Sequence, residues 1–173
     1  MKDNSLIVDA VRIMLREAKL GPHMPEGLDA LDMEILRILA ENCKRSAREI
    51  ARMLGKSPTI IAKKIKKLES MGIVKGCRAE IDYKKLGYNI MALILFNVEG
   101  AYIEEVEHQL AKEPNVRIVY DITGDYDVAI VALFRGVEEL DRFIKRLLKN
   151  PRIKRSVTSV VFRAVKDSPN IKF

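Results

Sequence analysis

Residues 46–67 read SAREIARMLGKSPTIIAKKIKK, and this stretch decides the fold of the first half of the chain. Ser46 predicts the N-cap of a helix, because Glu49 follows it at the spacing of a capping box. Gly55 predicts the end of that helix, since glycine adopts the left-handed conformation of a helix C-terminus without steric cost. The apolar residues between them fall on one helical face: Ala47, Ile50, Ala51 and Leu54.

A second helix is predicted directly after this glycine. Ser57 is a suitable N-cap, and Pro58 fits the first helical turn, where no amide donor is needed. The apolar stripe of this helix consists of Ile60, Ile61, Ile65 and Leu68. A capped helix, a glycine turn and a capped basic helix are typical of the helix-turn-helix motif, whose second helix enters the major groove of DNA.

A cluster of lysines makes the second helix basic: Lys63, Lys64, Lys66 and Lys67. The alternative interpretation is an ordinary helical hairpin with a solvated lysine face. The position of the cluster, right after a capped turn, favours DNA binding. We expect the N-terminal residues of the helix to contact phosphate or base edges, its lysines to bind phosphate or guanine, and two preceding arginines to hold the DNA backbone. The candidate DNA-binding residues are therefore Arg45, Arg48, Ser57, Pro58, Thr59, Lys63, Lys64 and Lys67.

The charge distribution agrees with this assignment. The length of 173 residues allows one domain or two small ones, and the formal net charge is +7. Residues 29–76 hold 11 Lys and Arg against 6 Asp and Glu, whereas residues 77–173 hold 16 against 14. Solubility alone could explain a basic chain. The concentration of the excess on the helix-turn-helix region favours a polyanionic partner, because phosphate contacts require cations there.

The cysteines and the apolar runs indicate the cellular compartment in which the chain is expected. Cys43 and Cys77 lie far apart in the sequence without a C-x-x-C motif and cannot make a disulfide framework, so a reducing cytoplasm is the simplest compartment. Charged residues interrupt the N-terminal apolar run, which argues against a signal peptide. The longest clean apolar run, residues 90–96, is too short to span a bilayer. We expect no membrane association.

The N-terminal half divides into three predicted segments. Residues 1–27 form an amphipathic helix, over residues 5–19, and a linker with the sequence GPHMPEG; the helix either contacts a partner or covers a domain edge. Residues 28–76 form the helix-turn-helix domain, whose supporting helix, residues 28–42, is capped by Asp29. Residues 77–89 are the connecting strand and hinge. A strand is predicted over residues 73–81, with Lys75 and Arg78 available to flank a phosphate backbone.

Residues 90–173 show a regular alternation of strands and helices. Strands are predicted over residues 90–98, 116–123, 126–134 and 153–165, and helices over residues 102–112 and 137–148. The order βαββαβ predicts a ferredoxin-like domain, an antiparallel sheet with two helices on one face. The fold class is therefore α+β, a winged helix-turn-helix domain followed by this domain. The open face of the sheet needs a cover, and a second copy of the chain is the simplest one.

From residue 29 to residue 173 the chain resembles the Lrp/AsnC, or feast/famine, family of prokaryotic transcription regulators. The matching segments are LDALDMEILRIL, REIARMLGKSPTIIAKKIKKLESMGIVKG and DITGDYDVAI, in the expected order and spacing. The resemblance implies a homodimer that assembles further, commonly into octamers, and that binds double-stranded promoter DNA as an activator or repressor. It also implies that the C-terminal domain, known as RAM, binds a free amino acid as effector.

Three positions depart from the family pattern. The usual Arg of the recognition helix falls on Lys64, which keeps the charge but loses the bidentate fork to guanine, so base preference is expected to be softer. Where the family has a Gly before the second helix, this chain has Cys43. Where the family commonly has a Tyr in the strand after the helix-turn-helix, this chain has Cys77. Neither cysteine threatens the predicted fold.

The turn Thr123 to Asp127 is the candidate effector site. Gly124 permits close approach of a ligand to the backbone, and the neighbouring amides can hold a carboxylate. Asp125 and Asp127 can accept hydrogen bonds from an ammonium group. The alternative is a hairpin turn chosen for its geometry alone. The resemblance favours the site, since the family binds its amino acid here, between dimers, with polar residues of the last strand. The effector-binding candidates are Thr123, Gly124, Asp125, Tyr126, Asp127, Ser156 and Thr158.

Other chemistries have little support in the sequence. Neither His23 nor His108 has a second ligand at metal spacing, and no nucleophile accompanies the Asp125 and Asp127 pair. We expect no enzyme, no metal site, and no cofactor besides a possible free amino acid. Two alternatives stay open, a nonspecific architectural DNA-binding protein and an amino-acid sensor without DNA binding. The lysine cluster argues against the sensor, and the ratio of specific to random DNA affinity tests the architectural alternative.

Overall fold

The computed structural model describes residues 27–168, 170, 171 and 173. These residues form two compact units. The helical unit comprises residues 27–80 and the described residues of 167–173, and the sheet unit comprises residues 81–166. The helix predicted over residues 5–19 and the linker that follows it lie outside the described residues, except for Gly27.

Three helices make up the core of the helical unit: α1 (Ala30–Glu41), α2 (Ala47–Leu54) and α3 (Pro58–Ser70). Each packs apolar side chains into a common cluster, and its fully or almost fully buried members are Ile35, Ile50, Ala51, Ile61 and Leu68. Complete burial of an Ile or Leu side chain contributes about 1.5–3 kcal/mol. This cluster therefore fixes how α2 and α3 are held on α1.

The predicted helix ends are confirmed. Ser46 Oγ accepts a hydrogen bond from Glu49 N, and the Glu49 carboxylate accepts one from Ser46 N at 2.7 Å, which completes the capping box. Gly55 adopts φ 62°, the left-handed conformation that favours glycine. Ser57 Oγ accepts from Ile60 N at 3.3 Å and so caps α3. These local bonds set the turn between the two helices.

The sheet unit has the predicted order of elements: β1 (Ile90–Val98), α4 (Ile103–Leu110), β2 (Val116–Asp121), β3 (Val128–Phe134), α5 (Val137–Leu147) and β4 (Ile153–Val160). The strands form one four-stranded antiparallel sheet in the order β2-β3-β1-β4. Short 3-10 helices, Tyr83–Leu86 and Gly100–Tyr102, precede β1 and α4. The α+β fold class with a ferredoxin-like second half is confirmed.

The two faces of the sheet differ in burial. Ile94 pairs with Ile130, and both are completely buried in the cluster that includes Val106 of α4 and Phe143 of α5. Cross-strand partners share a face. The alternate residues of β1 therefore form an open face on the other side, where Leu93 remains 38% exposed. One face of the sheet is covered by helices, and the other presents apolar side chains to solvent.

Two predicted strands do not form as expected. Residues 73–81 form no strand, because no described strand lies beside them to pair with. The last strand ends at Val160 rather than residue 165. Val161 N still donates to Met91 O at 2.8 Å, but β1 begins at residue 90, so the next residues have no partner strand. The strand boundaries on either side of residues 122–127 are also two residues shorter than predicted.

The fold pairs the two cysteines, a bond that the sequence did not predict. Cys43 and Cys77 form a disulfide, with Cα atoms 5.4 Å apart across a sequence separation of 34 residues. Cys43 lies between α1 and α2, and Cys77 lies in the segment after α3. Packing of the three helices brings these segments together, which their distance in the sequence does not reveal.

The end of the chain contacts the helical unit. Asn170 Nδ2 donates a hydrogen bond to Ala40 O at 2.9 Å, and Arg37 Nε donates one to Phe173 O at 2.7 Å. The predicted C-terminal domain extends to residue 173, whereas the described residues beyond 166 belong to the helical unit.

Candidate nucleic-acid interface and ligand cleft

Helix α3 has an exposed stripe opposite its buried one. Ile61 and Leu68 are completely buried, whereas Thr59, Lys63 and Lys66 are exposed. The spacings of four and three residues place these three side chains on one helical face. Lys63 and Lys66 form no salt bridge with any residue that the structure describes. This stripe can therefore meet a phosphate backbone or base edges.

The other two lysines of the cluster turn toward α1. Lys64 Nζ lies 2.6 Å from Asp29 Oδ2 and 2.9 Å from Asp32 Oδ1. Lys67 Nζ lies 2.9 Å from Asp32 Oδ2 and also donates to Gly27 O. The Lys64 side chain is only 18% exposed. Both ammonium groups thus join α3 to the beginning of α1.

Asp32 is the centre of this network and has no exposed surface. Burial alone would raise the pKa of its carboxyl group, but hydrogen bonds from Lys64 and Lys67 outweigh burial and lower the pKa from its ordinary value of 3.8 to about 2. The hydrogen bond from Lys64 also lowers the pKa of Asp29, and the bond to Asp29 raises the pKa of Lys64. The charged forms of all these groups stabilise one another.

The remaining predicted DNA-binding residues surround the start of α2 and of α3. Arg48 is exposed on α2, and Pro58 is exposed in the first turn of α3. Arg45 is half-buried, and its Nε atom has no hydrogen-bond partner among the described residues. Lys66 was absent from the sequence-based set, although its spacing from Thr59 and Lys63 could have identified it.

The sheet unit contains a cleft of about 480 Å³. It lies where the end of β1, residues 122–127 and the beginning of β4 meet. Its lining combines two carboxylates, an amide and two cations, and consists of Asn97, Val98, Gly124, Asp125, Asp127, Lys154 and Arg155. Such a lining suits a small polar ligand that carries both charges.

Hydrogen bonds to β1 hold the loop of this cleft. Asp127 Oδ2 accepts from Val98 N at 2.8 Å, and Asp127 N donates to Phe96 O at 2.9 Å. Asn97 Nδ2 donates to Asp125 O at 2.5 Å. Gly124 adopts φ 120°, in the region that favours glycine, and a Cβ there would meet nothing within 4 Å. The glycine therefore sets the turn and leaves the cleft open.

A β-bulge places two basic residues at the cleft. The register passes from the pair Asn97 and Arg155 to the pair Val98 and Ile153, so Lys154 is the extra residue. The Arg155 guanidinium lies 5.8 Å from the centre of the Tyr126 ring. Bulges commonly redirect a side chain beside a binding site.

The predicted effector residues are only partly brought together within one chain. Gly124, Asp125 and Asp127 line the cleft, whereas Thr123 and Tyr126 flank it. Ser156 and Thr158 are absent from the lining; they pair with Phe96 and Ile94 of β1, on the face of the sheet that the helices cover. Four lining residues are absent from the predicted set: Asn97, Val98, Lys154 and Arg155. A Lys-Arg pair at the start of a strand opposite the turn was the available signal.

Within residues 27–168, 170, 171 and 173, no group of three or more His, Cys, Asp and Glu side chains could hold a metal ion. No helix in that part of the chain is long and apolar enough to cross a membrane.

Both units match known protein families. Residues 28–75 match the winged helix-turn-helix DNA-binding family, and residues 91–171 match the Lrp/AsnC ligand binding domain. An uncharacterized HTH-type transcriptional regulator of Pyrococcus furiosus is 39% identical over 140 residues, which cover 81% of this chain and 95% of that protein. The chain belongs to the Lrp/AsnC family of transcriptional regulators.

Further Lrp/AsnC relatives and structures agree. The HTH-type transcriptional regulator FL11 of Pyrococcus horikoshii is 33% identical over 144 residues, which cover 83% of this chain and 95% of that protein. The structure of Bacillus subtilis LrpC has a TM-score of 0.73 at 28% identity and covers 80% of this chain and 97% of its own. A Neisseria meningitidis transcriptional regulator in complex with L-Met has a TM-score of 0.79 at 23% identity, with 84% and 96% covered, and shows the shared fold alone.

The two family matches of this Lrp/AsnC chain contain the two candidate sites. The helix-turn-helix match contains α1, α2 and α3, and the ligand-domain match contains the cleft. The chain is therefore a helix-turn-helix transcriptional regulator with a ligand-binding domain, and its relatives are regulators rather than enzymes.

Proposed function

We propose that this chain is a sequence-specific regulator that binds promoter DNA through α3 and responds to a free amino acid bound at the cleft of its sheet unit. The observation that carries the proposal is the division of the α3 lysines. Lys63 and Lys66 are exposed and unpaired among the described residues, whereas Lys64 is tied to Asp29 and Asp32. One side of the helix is anchored, and the opposite side is free for DNA.

The DNA contacts follow from this division. Thr59, Lys63 and Lys66 face the major groove, and the N-terminus of the helix lies toward a phosphate. Lys64 and Lys67, predicted from the sequence as DNA ligands, serve mainly to hold α3 on α1. The proposed DNA contacts are therefore Arg45, Arg48, Ser57, Pro58, Thr59, Lys63 and Lys66.

The cleft has the charges that a free amino acid requires. The Asp125 carboxylate forms no described salt bridge or hydrogen bond and can accept from an α-ammonium group. Lys154 and Arg155 can bind the α-carboxylate. The fold likeness to a regulator crystallised with L-Met supports an amino acid as the ligand class. We propose that Thr123 and Tyr126 border the ligand and that Ser156 and Thr158 of a neighbouring copy complete the site.

The open face of the sheet supports a homodimer. Leu93 is 38% exposed and Tyr120 is 57% exposed on strands whose opposite face is packed against helices. A second copy placed on this face would bury them. Two copies also supply the two recognition helices that adjacent half-sites require. Assembly beyond the dimer, commonly to octamers in this family, would bring a neighbouring β4 to the cleft. Because such a regulator acts on chromosomal DNA, we place it in the cytoplasm.

Selection from a pool of random duplexes tests the DNA function. The full chain should enrich a common sequence and bind it at least about 10³-fold more tightly than random duplex at the same salt concentration. An equal affinity for both would support an architectural DNA-binding protein instead. No binding to either at low salt would support a sensor without DNA binding. For the Lys63→Ala variant of α3, Lys149→Ala in the sheet unit is the control for loss of charge alone, because Lys149 is also an exposed lysine.

Calorimetry tests the effector. The twenty amino acids are titrated one at a time into the full chain, with sedimentation measured with and without the best ligand. We expect one amino acid, or a small group, to bind at or below millimolar concentration and to change the assembly state, because the proposed site spans subunits. If none binds at millimolar concentration, the residues 123–127 are only a turn.

A further inference from the structure

The disulfide connects two segments of the helical unit that lie on either side of the DNA-binding helices. Cys43 follows α1 and is half-buried, while Cys77 follows α3 and is exposed. The bond therefore closes a loop that contains both α2 and α3. Because Cys77 is exposed, we expect a thiol from solvent to reach the bond.

The segment around Cys77 has few other anchors. Val74 N donates to Leu68 O at 3.2 Å, and Val74 packs against the helical core. Residues 75–80 are exposed and have no regular secondary structure. No hydrogen bond or salt bridge between these six residues and the rest of the described chain is present. Gly76, with φ 134°, precedes the cysteine and allows the chain to turn. The disulfide is thus the anchor of this segment.

Two cations flank the anchored sulfur. Lys75 and Arg78 lie two residues before and one residue after Cys77, and both are exposed. They belong to the same unit as α3, so the disulfide fixes them relative to the exposed lysine stripe of that helix. A fixed cation contributes more to phosphate binding than one on a freely moving segment, because less entropy is lost when the complex forms.

We propose that the Cys43–Cys77 disulfide is a redox-controlled cross-link that positions Lys75 and Arg78 for DNA phosphates, so that its reduction weakens DNA binding. The positioning of the segment stands on the helical unit alone, and the effect on DNA rests on the proposed function.

The reaction is thiol–disulfide exchange with a dithiol. A thiolate of the dithiol attacks the Cys77 sulfur, the bond between the two protein sulfurs breaks, and a mixed disulfide forms while Cys43 leaves as a thiolate. The second thiol of the reductant then attacks the mixed disulfide and releases Cys77. Two electrons and two protons pass from the dithiol to the protein, which gains two thiols, and the dithiol becomes a cyclic disulfide. The cyclic disulfide of the oxidised reductant reverses the reaction.

The first experiment tests, without DNA, whether the disulfide cross-link anchors residues 75–80. The full chain is purified without reductant, digested with trypsin and mapped by mass, which should find the peptides of Cys43 and Cys77 joined. Before and after dithiothreitol, the initial cleavage rates after Lys75 and Arg78 are compared with the rate after Lys63 in α3. We expect reduction to raise the first two rates about fivefold or more and to leave the third unchanged, because only the segment loses its anchor. Unlinked peptides, or cleavage rates after Lys75 and Arg78 that reduction leaves unchanged or raises no more than the rate after Lys63, would overturn the proposal.

The second experiment measures affinity for a mixed-sequence 40-base-pair duplex at several salt concentrations. We expect dithiothreitol to raise the dissociation constant roughly fivefold, to reduce the salt slope by about one to two, and to act reversibly when oxidised dithiothreitol is added. Cys77→Ser changes an exposed residue and should match the reduced chain under both conditions.

The two possible failures are distinguishable. If the oxidised chain does not bind the duplex, the proposed DNA function fails, while the digestion experiment still decides whether the disulfide cross-link exists and anchors the segment. If the oxidised chain binds and reduction leaves the affinity and salt slope unchanged, the redox control is wrong and the DNA function stands.

Discussion

The Nζ atom of Lys64 lies 2.9 Å from Oδ1 of Asp32, a carboxylate without any solvent-exposed surface. This contact turns a lysine of the basic helix away from the exposed stripe and onto the supporting helix. A buried carboxylate that loses a charged partner is costly, since its desolvation is then poorly compensated. The orientation of α3 on α1 therefore depends on a charged network as well as on the apolar cluster.

The first prediction compares the roles of Lys64 and Lys63 in stability and DNA binding. Lys64→Ala should lower the free energy of unfolding by about 2 kcal/mol, because Asp32 keeps only Lys67 as a charged partner. Lys63→Ala should change stability by less than about 0.5 kcal/mol but should weaken DNA binding and reduce its salt slope by about one. Urea unfolding and duplex titration measure the two effects. An unchanged salt slope in Lys63→Ala would remove Lys63 from the interface.

The second prediction concerns pH. The pKa of Asp32 is lowered in the folded chain to about 2 from its ordinary 3.8, so its contribution is complete above about pH 4 and is lost as the pH falls toward 2. The difference corresponds to about 2 kcal/mol. The free energy of unfolding should decrease over this interval, and Asp32→Asn should flatten that part of the profile while being less stable at pH 7. An identical acid profile in Asp32→Asn would show that other carboxylates cause the loss.

The third prediction concerns the cleft. Asp125→Ala and Lys154→Ala should each weaken binding of the amino acid found by calorimetry by tenfold or more, because each removes a charged partner of the zwitterion. Thr158→Ala should abolish the ligand response if a neighbouring copy contributes it. DNA binding by the dimer should remain in all three variants. Lys149→Ala is the matched control, and equal weakening in that variant would mean that overall charge, not the cleft, binds the ligand.

The fourth prediction concerns assembly. Leu93→Asp should shift the chain toward a monomer in sedimentation at micromolar concentration, since it places a charge in the middle of the open apolar face. Leu148→Asp is the control, because Leu148 is 46% exposed but follows α5 on the other side of the sheet. A dimer that survives Leu93→Asp, or a wild-type chain that is already monomeric, would contradict pairing through this face.

Local patterns in the sequence were sufficient for the helices and most strands. The capping box of Ser46 and Glu49 and the glycine end at Gly55 involve groups within a few residues of each other, and the strand at residues 90–98 was predicted from a continuous apolar run. The hydrogen bonds at these helix ends form from the backbone geometry of one element. Two of the misjudged strand predictions depend on a distant partner: residues 73–81 have none, and β4 ends where it reaches the beginning of β1.

The candidate sites were less predictable than the fold. The sequence identified Gly124, Asp125 and Asp127 but not Lys154 and Arg155, because a β-bulge in a strand that follows a helix brings those two residues to the turn. Likewise, four lysines of one helix are equivalent in the sequence until α1 is packed against it. A side chain's partner then depends on the rotation of each helix, which the apolar core fixes.

The sequence by itself determined the order of elements, the caps of α2 and α3 and the two-unit organisation, which follow from local spacing and hydrophobic periodicity, and its motifs carried the resemblance to the family. The tertiary structure alone decided that Lys64 holds Asp32, that Cys43 meets Cys77, and that one cleft combines Asp125 with Lys154. The reason is physical. Local hydrogen bonds require only neighbours in the chain, whereas a contact across 29–34 residues exists only after burial of the core has fixed the distance between two elements.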